Sequence, residues 1–158
     1  MPLSGSNHDS SALYQRFGPM ILRRVRDFYG QEESEEVLAE LFVRVFDKPQ
    51  AFRGESSLGT WIYGATTRYC LHRRREDDPD DQPLYSPSAI LRAEEPDQQR
   101  QSLLLKKYWR NLDEDLVLIG IYYYLDGMGH PEIAELVGSP RRTIGARILE
   151  LDAQLRVP

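Results

Sequence analysis

Leu13, Phe17, Met20 or Ile21, Val25 and Phe28 recur at three- and four-residue spacing, which lines one face of an α-helix. Gly18-Pro19 allows a break or kink before Gly30 ends the run, so this stretch is one bent helix or two. Ser34 is placed to cap a second helix carrying the stripe Val37, Leu38, Leu41, Phe42, Val45 and Phe46, with Glu35 and Glu36 at its positive N-terminus. Lys48-Pro49 terminates it. A polar loop, Phe52 to Ser57, leads into a third helix with Leu58, Trp61, Ile62, Ala65 and Tyr69 on one face and Arg68 and Arg73 to Arg75 towards its far end. No period-two strand pattern competes.

A second block begins near residue 103. Leu112 to Leu125 reads as a helix entered at Asp113 and stopped by Asp126-Gly127. Pro131 to Val137 turns Ile133, Ala134, Leu136 and Val137 inward, Gly138-Ser139 makes a tight turn, and Pro140 stands where a first helical residue is expected. Ile144, Ile148, Leu151 and Leu155 continue the inner stripe. The pair predicts a helix-turn-helix, with Arg141, Arg142, Thr143 and Arg147 facing outward near the start of its second helix, where a DNA major groove is read.

Between the blocks, residues 77–101 hold four prolines and seven acids around a brief apolar run at Ala89 to Leu91, the composition of a flexible linker. The chain has 158 residues, room for one ordinary domain or two small ones. Its formal net charge of −5 would discourage nucleic acid, but residues 77–102 carry all of that −5, against +1 before them and −1 after. Local basic clusters set the field that a phosphate backbone meets, so nucleic-acid binding stays open.

Other chemistry has little to stand on. One cysteine, Cys70, excludes an intramolecular disulfide, and His8, His72 and His130 make no zinc spacing with it. Neither a Ser/His/Asp arrangement nor a Gly-rich phosphate loop is present, so no enzyme, metal or cofactor is expected. No apolar run approaches the ~20 residues that span a bilayer, and the opening Met-Pro-Leu-Ser-Gly-Ser-Asn-His-Asp lacks a secretory signal pattern; the expectation is a cytoplasmic protein without membrane contact. Trp61 reads either as core or as a base-stacking platform, and Arg73 to Arg75 either complement the helix dipole or meet phosphate.

The two blocks together resemble the promoter-binding modules of bacterial RNA polymerase sigma factors, specifically the extracytoplasmic-function (ECF) group of the sigma-70 superfamily. The likeness runs through LYQRFGPMILRRV, EEVLAELFVRVF and FRGESSLGTWIYGATTRYCLHRRR, then PEIAELVGSPRRTIGARILEL. It implies an all-α protein of two small helical domains. Residues 10–76 would be a three- to four-helix region 2-like domain for core binding and minus-ten melting. An acidic flexible linker over 77–102 would lead to a region 4-like helix-turn-helix domain over 103–158 that reads the minus-thirty-five element. Core polymerase (its beta and beta-prime subunits) would be met by the helix from Glu35 to Phe46, through Glu35, Leu38, Glu40, Leu41, Arg44 and Asp47. The minus-ten element would be met by Arg53, Ser56, Ser57, Thr60, Trp61, Tyr63, Thr67, Arg68 and Arg73, and the minus-thirty-five element by Arg141, Arg142, Thr143, Ala146 and Arg147. Promoter DNA and an anti-sigma protein complete the implied partners. Single strands are held by aromatic faces beside a basic track, and guanine edges by forked arginines, which suits these residue types. Glu36, Ala39, Gly64, Arg68 and His72 depart from the family pattern, as do Ser139, Ala146 and Glu150. The changes at Glu36, Ala39, Gly64 and Arg68 motivate a second reading: a sigma-like DNA-binding regulator or decoy that no longer initiates transcription.

Overall fold

A computed structural model describes residues 7–47, 54, 56–77 and 83–156, and every regular element among them is helical. The chain divides into two compact units, Met1–Arg73 and Arg74–Pro158. No helix among the described residues is long and apolar enough to cross a membrane.

In the first unit, α1 (Asn7–Tyr29) is a single helix that continues through Pro19. Its stripe is the expected one: Leu13, Ile21, Val25 and Phe28 are buried, and Gly30 closes it with φ near +70°, a conformation that costs glycine no Cβ clash. The next helix, α2 (Ser34–Leu41), begins one residue earlier than a Ser34 cap would require. Val37 N–H bonds to Glu33 O at 3.1 Å, so Glu33 is the cap residue, and the buried Ser34 hydroxyl instead donates back to Gly30 O. α2 runs on into a π-helical turn, Phe42–Phe46, which turns Phe46 inward and leaves Val43 72% exposed. Phe46 meets the Trp61 ring edge-on at 5.7 Å, joining this turn to α3 (Leu58–Asp77). The expected stop at Lys48-Pro49 lies outside the described residues.

The second unit takes in much of the expected linker. Leu84, Tyr85, Ala89, Ile90 and Ala93 are buried, α4 (Pro87–Ile90) is a single turn, and Leu84 N–H bonds to Lys106 O at 3.3 Å. α5 (Pro96–Tyr108) starts inside the segment 77–102, so from Pro83 onward that segment is packed structure and not a flexible tether. The physical reason is that five scattered apolar residues make no periodic pattern but suffice to dock an irregular strap. Trp109, 1% exposed, follows α5 in a short 3₁₀ turn. The helix expected over Leu112 to Leu125 is α6 (Glu114–Gly120) continued by a second π-helical turn, Ile121–Leu125. Gly120 sits where α6 crosses its neighbours: a Cβ there would lie 2.8 Å from Leu105 Cδ2 and 3.0 Å from Leu151 Cδ2. α7 (His130–Val137) and α8 (Arg141–Arg156) complete the unit around Ile133, Ile144, Ile148, Leu151 and Leu155.

Candidate nucleic-acid and partner surfaces

The turn between α7 and α8 has the geometry of a helix-turn-helix. Gly138 takes φ +73° and its N–H bonds to Ala134 O at 2.9 Å, with Ser139 N–H on the same carbonyl at 3.1 Å. Pro140 O then accepts from Ile144 N–H at 3.1 Å, which makes Pro140 the cap residue of α8. Burial of Ile144 and Ile148 fixes the rotation of α8, and that rotation leaves Arg141, Arg142, Thr143 and Ala146 exposed at its leading end. This is the end that enters a major groove in such motifs, and its unpaired backbone N–H groups favour phosphate.

Arg147 lies on the same helix but is engaged elsewhere. One of its terminal nitrogens forks onto both Asp113 oxygens at 2.8 and 2.9 Å, and the other meets Glu150 at 2.7 Å. Asp113 also caps α6, accepting from Leu116 N–H at 2.9 Å. Burial pushes the Asp113 carboxyl up, but the Leu116 N–H and the Arg147 guanidinium outweigh it and hold the carboxyl below its ordinary value. The same contact, led by Asp113, raises the Arg147 guanidinium. Sequence reading saw Asp113 as a helix-start charge and missed this second role, which joins residues 34 positions apart.

In the first unit, the residues expected at the minus-ten element meet different fates. Arg53 lies outside the described residues. Ser56, Ser57 and Thr60 surround the N-terminus of α3, where Ser57 is the cap: its hydroxyl accepts from Thr60 N–H at 3.1 Å and donates to Thr60 Oγ1 at 2.8 Å. Along the helix, Trp61, Tyr63 and Arg68 are half-buried, so each keeps an accessible edge. Thr67, by contrast, is 0% exposed and its hydroxyl is turned onto Tyr63 O at 2.9 Å, which removes it from any surface.

Arg73 supports the fold of this unit. Its guanidinium forks onto Glu40 at 3.0 and 3.3 Å, reaches Glu33 at 3.8 Å and lies 4.9 Å over the Tyr29 ring. Tyr69 hydroxyl donates to the same Glu40 carboxylate at 2.6 Å. Arg73 first and Tyr69 second hold the Glu40 carboxyl below its ordinary value, and the Tyr69 phenol is pushed up to about 12 by burial and then by Glu40. Glu40 was expected to meet a partner; it ties α2 to α3 instead. Arg75, for which a dipole or phosphate role was open, donates to Leu112 O at 2.9 Å and lies 5.2 Å over Trp109.

Among the residues expected to meet polymerase, Leu41 is 0% exposed and belongs to the core, because a stripe spanning both edges of a helix must bury its centre. Glu35 and Arg44 are exposed, and Leu38 and Asp47 half-exposed. Apolar surface that sequence reading did not single out lies beside them: Val43, and Tyr14 of α1, 51% exposed with its ring 5.8 Å from Phe42. Val43 could have been noticed as a hydrophobe off the buried stripe.

A chain whose described elements are all helical, with a helix-turn-helix whose leading end presents arginines, falls in the class of DNA-binding proteins. Residues 13–79 match the Sigma-70 region 2 family. The chain thus carries a sigma-70 region 2 domain over this segment. It is also similar to the ECF RNA polymerase sigma-E factor of Haemophilus influenzae, with 25% identity covering 91% of this chain and 84% of that protein.

Proposed function

We propose that this chain is an ECF-type sigma factor that brings core polymerase to bipartite promoters and opens the minus-ten element. The observation that carries the reading is the presence, in one chain, of a region 2 domain and a separate unit whose helix-turn-helix exposes Arg141, Arg142 and Thr143. In this reading the first unit meets core polymerase through the exposed side of α2 and its π turn. Ser56, Trp61, Tyr63 and Arg68 then face the separated minus-ten strand, and α8 reads the minus-thirty-five duplex as region 4. Residues 83–101 travel with that second unit. The beta and beta-prime subunits and promoter DNA are the partners, the cytoplasm is the place of action, and an anti-sigma protein is the expected form of external control.

One observation favours the second reading, a sigma-like DNA-binding regulator or decoy: the Arg147 fork is held by Asp113 and Glu150, which weakens the duplex contact. Reconstitution with bacterial core polymerase and sequencing of transcripts from fragmented genomic DNA decides between them. Discrete starts preceded by a shared bipartite motif, with permanganate-reactive thymines in its minus-ten part, are expected. Core binding without reactive thymines identifies a decoy, and DNA binding without core binding identifies a stand-alone regulator.

A further inference from the structure

Arg24 of α1 is 1% exposed, in a row whose other members, Ile21, Val25 and Phe28, are apolar. A guanidinium so far from water is costly unless its charge and its donors are matched. Asp27, one turn on and also buried, takes one terminal nitrogen at 3.1 Å. The other donates to the hydroxyl of Tyr63, 39 residues away on α3, and the guanidinium carbon lies 4.6 Å over the Tyr63 ring. Unlike its two partners on α1, Tyr63 is half-exposed.

We infer that Arg24, set by Asp27, is a positioning residue that fixes the Tyr63 ring on the minus-ten helix before DNA arrives. Two contacts on one phenol, at its oxygen and over its ring, remove the freedom of both side-chain torsions. Arg24 covers one face and leaves the exposed part of the ring for a base. An aromatic platform already immobilised by the fold does not lose that freedom on binding, and the separated strand is captured more tightly for it. A leucine at this position would fill the space without orienting the phenol, which is why the buried ion pair points to Tyr63 and not to packing alone. The inference rests on the strand-opening reading above.

The test uses holoenzyme, core polymerase with the full chain, on a promoter recovered by transcript mapping. A 2-aminopurine in the non-template minus-ten strand reports strand separation and stacking, and gel shift reports closed-complex binding. Arg24→Met keeps the volume and removes both contacts. It is expected to lower the open-complex fraction about three- to tenfold, with closed-complex binding unchanged. Tyr63→Phe, which keeps the ring but loses the acceptor, is expected to act in the same direction and decides the matter should Arg24→Met fail to fold. In a Tyr63→Ala background Arg24→Met is expected to add nothing further, whereas a general loss of stability would still add its effect. Opening by the wild type that neither Arg24→Met nor Tyr63→Phe alters overturns the inference alone. A wild type that opens no promoter overturns the functional reading and the inference with it.

Discussion

Asp113 holds two ends of the second unit with one carboxylate: it caps α6 through Leu116 N–H and grips Arg147 of α8. Asparagine caps a helix about as well as aspartate but cannot hold a guanidinium by charge. Asp113→Asn is therefore expected to keep the helical content while releasing Arg147 towards DNA. Fluorescence anisotropy on a minus-thirty-five duplex should show severalfold tighter binding and a salt slope steeper by about one. The stability change should be small, about 0–1 kcal/mol, because the Asp113 side chain is 55% exposed and screened by water. Glu40 gives a pH dependence of definite sign. Arg73 and then Tyr69 lower its carboxyl from 4.5, so the stability it contributes is fully present above that value and is lost as the pH falls through the lowered one. Thermal melts by circular dichroism between about pH 5 and about pH 3 should show the loss, and Glu40→Gln should melt lower at neutral pH with a flatter acid limb.

The helices follow from local rules, and their close crossings depend on a few small residues. At Gly120 an added methyl would press on Leu105 and Leu151 at once, from two different helices. Gly120→Ala raises helix propensity, yet overpacking of this kind costs about 1–3 kcal/mol, and urea unfolding should show a lower midpoint with an unchanged slope. The periodic stripes of α1, α2 and α8 were legible because 3.6-residue spacing is written in consecutive residues. Gly138 was legible for the same reason, as a turn residue at the end of an apolar run. The packed strap from Pro83 to Ala93 was not, since prolines and acids dominate its composition while its few buried side chains find partners only after α5 is in place. The two π-helical turns were also hidden, because a one-residue widening of a helix leaves no distinct sequence pattern.

Two units of different composition share a chain of net charge −5, so the protein as a whole is not drawn to DNA by its total field. Recognition must come from local groups, and Arg142 is the most direct candidate on α8. Arg142→Ala is expected to weaken promoter duplex binding by the holoenzyme about tenfold, and binding to unrelated DNA less, with transcription from mapped promoters falling in parallel. An equal loss on all sequences would assign Arg142 to phosphate instead. The class of protein was readable from motif order, since FRGESSLGTW upstream of a helix-turn-helix is a specific combination and the region 2 match covers the first of these. Individual contacts were much less readable. Leu41, Thr67, Glu40, Arg73 and Arg147 carry the right chemistry at plausible positions, yet the first two are buried and the other three are bound within their own unit. Periodicity, caps and motifs act between neighbours in the chain, so the amino-acid order alone marks α1, α2, α3, α6, α7 and α8 as helical, but not α4 or α5, and relates residues 13–79 to sigma-70 region 2. Whether an arginine faces DNA or a carboxylate depends on groups 30 or more residues away, as Arg73 with Glu40 and Arg147 with Asp113 show, and that is settled only when the helices pack.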